Sequence, residues 1–494
     1  MIEQTPIDTT DEVEEAMTDL QEIKRKSVSG VVSFLVRTAI LQGIGLASAF
    51  ILSIYFSPED FGVFGFVTQI IGLLVFFSDI GLAAALVQKK SQPTLTDYRT
   101  AFTVQQILSW GIVLIAVLVC ATGFVQDKTG WAGVWILMSL ALSFPLASLK
   151  TVSSIMLERK LDFSKLVLPQ IGEQIIFHGL LLFLAWKGMG ATAYAYAIIS
   201  RSIIGLVLMW MIQPWSIGFA LNRVSLKELL GYGAKFQFND FLARIKDQLF
   251  FLVLGAVLPL REFGYIQWAK NWSLYPYNLT VQNVMAITFP TFSRLQHNKP
   301  ALQRAIEKSL FFITLVIFPL LVAMCVFIFP LTELIPRYSK WEPALLSFVF
   351  FTLSVGWAAV STPLTNTLNA IGEINTSLKL MVMWTILTWV LTPLLMYFFG
   401  FNGVAMAALL IAFTSYIPIH FVKKIVPIRV WDQIWRQLLA AGAMAVIGVG
   451  VVVLTSTTVL TLLLGIVAAG AAYAGVVWLL GRDKVWAEFR SLRA

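Results

Sequence analysis

Long apolar runs separated by short polar turns dominate this chain. They recur at 29–54, 61–87, 101–123, 131–156, 166–186 and 191–213, again at 233–258, 264–288, 309–329, 343–370, 376–399 and 403–422, and finally at 437–455 and 458–480. Runs of about 20 residues or more match the thickness of a bilayer's hydrocarbon core. A helix is the element that satisfies its own backbone there. The pattern predicts an all-α polytopic membrane protein of about fourteen transmembrane helices, arranged as two pseudo-symmetric six-helix lobes plus two C-terminal helices. The expected organisation is a cytoplasmic acidic-then-basic N-terminal segment (1–27), an N-lobe with spans 1–6 (28–232), a C-lobe with spans 7–12 (233–430), and spans 13–14 with a basic tail (431–494).

The division into halves comes from an internal echo. Ser57-Pro58-Glu59-Asp60-Phe61-Gly62 leads into an apolar run that ends in Ser78-Asp79-Ile80-Gly81 and closes on Lys89-Lys90. About 200 residues later, Arg261-Glu262-Phe263-Gly264-Tyr265 opens another long apolar run, closed by Phe292-Ser293-Arg294. Related halves of this kind commonly enclose a substrate path.

Composition agrees with lipid as the main solvent: 58% of residues are hydrophobic and 13% charged, with a mean hydropathy of +0.80. The net charge of +9 could suggest nucleic acid, but the distribution excludes that reading. With an inside N-terminus, about 25 of the 36 Lys and Arg fall on alternate loops or tails and about five on the others. This is the bias that orients membrane proteins. Both termini are therefore expected in the cytoplasm, with the first span an uncleaved anchor. Cys120 and Cys325 both lie in apolar runs, which leaves no disulfide framework or thiolate metal site. Outer loops are short, and only three histidines are present, so neither an enzyme nor a cofactor is expected.

Charge inside a span costs about 2.5 to 3.5 kcal/mol near the bilayer centre and therefore marks function by default. The candidates are Arg37, Asp79, Lys150, Glu173, Arg201, Asp240, Arg244, Lys246, Asp247 and Lys270, seven of which sit on spans 1, 2, 7 and 8. On span 8, Gln267, Asn271, Tyr275, Asn278 and Gln282 share one helical face, with Lys270 at its edge. Arg37, Arg201, Arg244, Lys246 and Lys270, with Gln267, Asn271 and Asn278, are the expected substrate contacts of a central cavity. Asp79, Asp240 and Asp247 are the candidates for coupling or gating, although Asp240 and Asp247 can also neutralise Arg244 within their helix. Lys150 is expected to snorkel and Glu173 to form an interhelical hydrogen bond with its neighbours Gln170 and His178 at hand. The excess of cations suits a pyrophosphate or acidic sugar.

The run Leu52-Ser53 to Asp60-Phe61-Gly62, followed by Ser78-Asp79-Ile80-Gly81-Leu82-Ala83-Ala84-Ala85-Leu86-Val87-Gln88, resembles the second-helix signature of bacterial polysaccharide transporters. These are the Wzx-type flippases of the multidrug/oligosaccharidyl-lipid/polysaccharide (MOP) exporter superfamily. Asp247-Gln248-Leu249-Phe250 to Gly255 with Glu262-Phe263-Gly264-Tyr265, Pro290-Thr291-Phe292-Ser293-Arg294-Leu295 and Leu368-Asn369-Ala370-Ile371-Gly372 are similar to its later motifs. The resemblance implies a cavity lined by spans 1, 2, 7 and 8. It also implies a flippase that turns undecaprenyl-pyrophosphate-linked oligosaccharide units of O-antigen, capsule or exopolysaccharide from the inner to the outer leaflet of the bacterial cytoplasmic membrane. The implied partners are the lipid-linked oligosaccharide, membrane lipid, and a polysaccharide polymerase with its chain-length protein. A cation-coupled multidrug antiporter of the same superfamily is the rival, and it predicts a more acidic cavity. The cluster Asp240/Arg244/Lys246 matches no motif of the family.

Overall fold

The computed structural model of the chain describes residues 38, 40–78, 80–89, 91–160, 162–229 and 248–493. Arg37, Asp79, Asp240, Arg244, Lys246 and Asp247 lie outside these residues, as does the N-terminal segment 1–27. The described chain is helical: α1 (Ile40–Tyr55), α2 (Pro58–Leu74), α3 (Leu82–Gln88), α4 (Leu95–Ala121), α5 (Phe124–Arg159), α6 (Phe163–Trp186), α7 (Thr192–Ile212), α8 (Gln248–Val257) and α9 (Leu260–Tyr277). There follow α10 (Asn283–Leu295), α11 (Lys299–Leu334), α12 (Leu345–Ala370), α13 (Ile374–Phe399), α14 (Asn402–Phe413), α15 (Tyr416–Ile425), α16 (Val430–Leu454) and α17 (Val459–Arg493). Among the described residues, ten helices are long and apolar enough to cross a membrane, and α1 and α8 are shorter apolar helices.

Several helices outrun the apolar runs that predict them. α11 begins at Lys299 rather than near 309, and α5 begins at Phe124 rather than near 131. The backbone ladder is satisfied equally in water and in lipid, so a helix continues past the hydrocarbon edge where its side chains turn polar. Within α5, Gly130 (φ 65°) breaks the helix just where the apolar run starts.

Three runs expected as continuous helices are interrupted. The run 61–87 gives way after Leu74 to a 3₁₀ turn (Val75–Ser78), then to Ile80 and Gly81, both with positive φ (46° and 76°), before α3 begins. Gly81 lacks the Cβ that makes this backbone region unfavourable. The run 264–288 changes at Asn278–Gln282 into a π turn. Pro276 donates no backbone hydrogen, and its carbonyl is taken by the Thr280 hydroxyl at 2.7 Å. The run 403–422 also divides, into α14 and α15 at Thr414–Ser415.

The chain forms two compact units, Met1–Tyr55 with Phe66–Val253, and Phe56–Gly65 with Leu254–Ala494. In the first, α4 packs on α5, and α7 on both α5 and α6. Leu82, Leu86, Tyr98, Phe102 and Val152 form a core there. In the second, α9, α11 and α14 pack on α12, α13 on α14, and α16 on α11 and α17. Its core holds Phe292, Ile306, Ile313, Leu364 and Met444. Large apolar side chains are left on the surface, Leu168 at 67% and Tyr397 at 84% exposure among them. That is a poor surface for water and a good one for acyl chains.

Residues 56–65 belong by chain order to the first half and by contact to the second unit. Phe61 explains this. Its ring meets Trp341 edge-on at 5.0 Å, and Trp341 stacks on Trp268 at 4.8 Å and 9°. Trp268, Trp341 and Tyr338 are all fully or almost fully buried.

Candidate functional site

The second unit carries the polar face of α9 and the π turn. Lys270 and Asn278 are half-buried, while Asn271 and Gln282 are exposed. Asn278 opens the π turn, and such turns frequently coincide with functional positions because they redirect side chains and loosen the ladder. Tyr277 beside it is anchored to α12, its hydroxyl lying 3.0 Å from Thr362 Oγ1. Tyr275 packs against Trp272 at 5.4 Å. Gln267 departs from the rest of the stripe: it is 7% exposed, and its side chain lies against the backbone of Gly65. It is a packing residue rather than a wall of a hydrated cavity, because the missing Cβ at Gly65 leaves a niche that the Gln267 side chain fills.

The first unit holds a different intramembrane set. The Lys150 ammonium on α5 forms an ion pair with Glu173 on α6, with side-chain exposures of 22% and 15%. Lys150 therefore does not extend to the interface as expected but turns inward to a carboxylate. Gly205 on α7 makes room for the pair, since a methyl there would overlap the Glu173 carboxylate. Arg201, also on α7 and half-buried, lies over the Phe177 ring at 5.2 Å. His178 follows Phe177 on α6, and its Nδ1 is buried without a hydrogen-bond partner among the described residues. The structure thus brings Lys150, Glu173 and Arg201 onto neighbouring helices of one unit and places Lys270, Asn271 and Asn278 on the other.

A polar network outside the expected site also emerges. Lys89 Nζ sits 3.0 Å from both Asp97 and Glu228, and Arg159 donates to the carbonyls of Leu86, Val87, Lys89 and Ser91. Burial opposes the charge on Lys89, but the two carboxylates outweigh it and raise its pKa. This network ties the end of α3 to the start of α4 and to the linker that follows α7, residues 213–229. The linker runs along α4 through hydrogen bonds from Ala220 N to Thr103 and from Asn222 N to Thr100. The sequence signal for it is Thr94-Leu95-Thr96-Asp97, a capping box in which Thr94 and Asp97 satisfy each other's backbone amides.

A family model described as polysaccharide biosynthesis protein matches residues 51–346. Succinoglycan biosynthesis transport protein ExoT of Rhizobium meliloti (strain 1021) is 22% identical over 324 residues, covering 64% of this chain and 63% of that protein. Lipopolysaccharide biosynthesis protein WzxC of Escherichia coli (strain K12) is 20% identical over 315 residues, covering 62% of each. The chain spans just under two thirds of the length of these curated relatives. Among solved structures, the lipid II flippase MurJ in an inward closed conformation superposes with a TM-score of 0.70 at 16% identity, covering 92% of this chain and 100% of that one. An inward-facing multidrug resistance MATE family transporter of the MOP superfamily gives a TM-score of 0.57 at 15% identity, over 79% and 98%. At such identities the likeness is one of fold, and the fold is that of the MOP transporters.

Proposed function

The chain belongs to the polysaccharide biosynthesis protein family, and from that premise we propose that it is a flippase for oligosaccharide units carried on undecaprenyl pyrophosphate. The observation that carries this reading is the family match over residues 51–346, on a helical fold with ten helices among the described residues long and apolar enough to cross a membrane and with breaks after α2 and α9. A helix interrupted at membrane depth is tolerated where its backbone lines a cavity or packs in protein, and transporters use such breaks to meet charged groups.

In this reading the glycan and pyrophosphate occupy a hydrated path while the prenyl tail stays in the bilayer. Lys270, Asn271 and Asn278 present one cation and two amides along a single helix, and Arg201 supplies a cation from the first unit. Arg37, Arg244 and Lys246 are assigned to the same task by their place in the sequence. A cationic lining lowers the cost of moving a headgroup that hydrocarbon rejects. Movement from the inner to the outer leaflet of the bacterial cytoplasmic membrane follows by alternating access. Each residue's role is to bind and release, and none is assigned a covalent step.

The test is export of the surface glycan in cells that depend on this chain, with protein level in the membrane held equal. Lys270→Ala is expected to lower export about tenfold, the loss of one charge-assisted contact of about 1.5 kcal/mol, with Lys270→Arg restoring most of it. Full export by Lys270→Ala together with Arg201→Ala removes both residues from the site. Protection of the same cells from toxic cations, with glycan export unchanged on deletion, would replace this reading with the antiporter.

A further inference from the structure

The two turns that echo each other in sequence touch each other in the second unit, and they do so reciprocally. A methyl on Gly62 would overlap the backbone carbonyl of Leu260, and a methyl on Gly264 would overlap the backbone carbonyl of Pro58. Pro58 and Leu260 stand four residues before their respective glycines, so each helix start lays its own glycine on a carbonyl of the other's first turn. Three pairs that face each other along the contact, 59 with 261, 62 with 264 and 65 with 267, each lie 202 residues apart. Glu59 lies 3.6 Å from Arg261, and a methyl on Gly65 would meet the Gln267 side chain at 2.6 Å. The contact is a local two-fold seam, built from backbone against backbone.

Phe61 holds the seam from one side. It reaches past the turn into the aromatic stack of Trp341 and Trp268, and Tyr265 of the other turn also lies against Trp341, at 6.3 Å. The seam's own polar groups are satisfied locally: Ser57 and Asp60 cap α2 with bonds of 2.8 to 3.2 Å, and Arg261 Nε donates to Tyr265 at 3.1 Å. Parting the seam requires that Phe61 leave its aromatic seat and that the glycine backbones separate.

The breaks further along the two helices follow the same offset. The π turn at 278–282 corresponds to positions 76–80, inside the interruption between α2 and α3.

Resting on the flippase reading, we propose that this glycine seam is the closure of the transport path on the face that the charge distribution assigns to the exterior, with Phe61 as its latch. Glycine at 62 and 264 is then a requirement of the closed state alone, because only there do the backbones approach too closely for a Cβ.

The test uses full-length protein in lipid nanodiscs, with Cys120→Ala and Cys325→Ala as background and spin labels on Glu59→Cys and Arg261→Cys. Pulsed electron resonance is expected to show a short and a long distance population. Gly62→Ala and Gly264→Ala are each expected to raise the ratio of long to short about fivefold or more. Should an alanine variant fail to accumulate, Phe61→Leu serves instead, with the same expected direction. A reducible cross-link between positions 59 and 261 is expected to stop glycan export, and reduction to restore it. A single short population in all of these proteins, or full export by the cross-linked protein, overturns the proposal. The distance measurement needs no substrate, so it judges the seam even where export assays reject the flippase reading.

Discussion

The helices that follow the two echoed turns begin alike and break differently. α2 and α9 both start from an acidic, Phe-Gly turn, and they lose regular α geometry after 17 and 18 residues. α2 tightens into a 3₁₀ turn and passes through two left-handed residues, Ile80 and Gly81. α9 instead widens into a π turn, with every cap residue still in the right-handed region. The difference shows that the repeat sets where the helix is interrupted, while single residues set how. With Gly81 available, the first half can reverse its backbone sign; the second half has Pro276 and Thr280 and accommodates the missing donor by adding a residue to the turn.

That contrast can be broken experimentally, and the largest effect is expected from the π turn. Deleting Leu279, an exposed residue within it, removes the extra residue and lets α9 and α10 join as one regular helix. Protein is expected to reach the membrane while glycan export falls to background, because the widened turn that positions Asn278 is lost. Normal export by the deletion variant would show that the widened turn is incidental.

Next in size is the aromatic seat shared by the two helix starts. Trp341→Ala is expected to destabilise the second unit by about 3 to 5 kcal/mol, read as a lowered melting temperature in detergent. Phe61→Ala, which empties only the α2 side of the stack, should cost less. Equal losses would mean that the two starts are not held independently.

Smaller again is the backbone term. Gly81→Ala forces a Cβ into the left-handed region and is expected to cost about 1 to 2 kcal/mol, whereas Asn278→Ala, at φ −64°, carries no such strain. Equal thermal shifts for the two substitutions would erase the distinction drawn between the breaks. The smallest effect belongs to Glu59→Gln: its pair with Arg261 is exposed on both sides, and no change in melting temperature is expected.

Much of the candidate site was legible as a list of residues and little of it as an arrangement. The α9 stripe was readable because helical spacing alone places Gln267, Asn271, Tyr275 and Asn278 on one face. That Gln267 fills the niche at Gly65 was not readable, since the niche belongs to a segment 202 residues away. Lys150 and Glu173 were visible as charges in apolar runs, but their pairing depends on α5 and α6 lying side by side and on Gly205 making room. The Lys89 network was half-legible: the Thr94–Asp97 capping box is local, while Arg159 at the end of α5 and Glu228 arrive from far along the chain.

What the amino-acid order determined by itself is the membrane-spanning helical class, the doubling of the chain and the turns that mark it, because hydropathy and helix periodicity act over one or two turns and lipid leaves few alternatives. The tertiary structure decided which charges neutralise each other, where a long apolar run breaks, and that the two echoed turns rest on one another. Those outcomes depend on close approach between residues far apart in the chain, and on whether a glycine stands where two backbones meet.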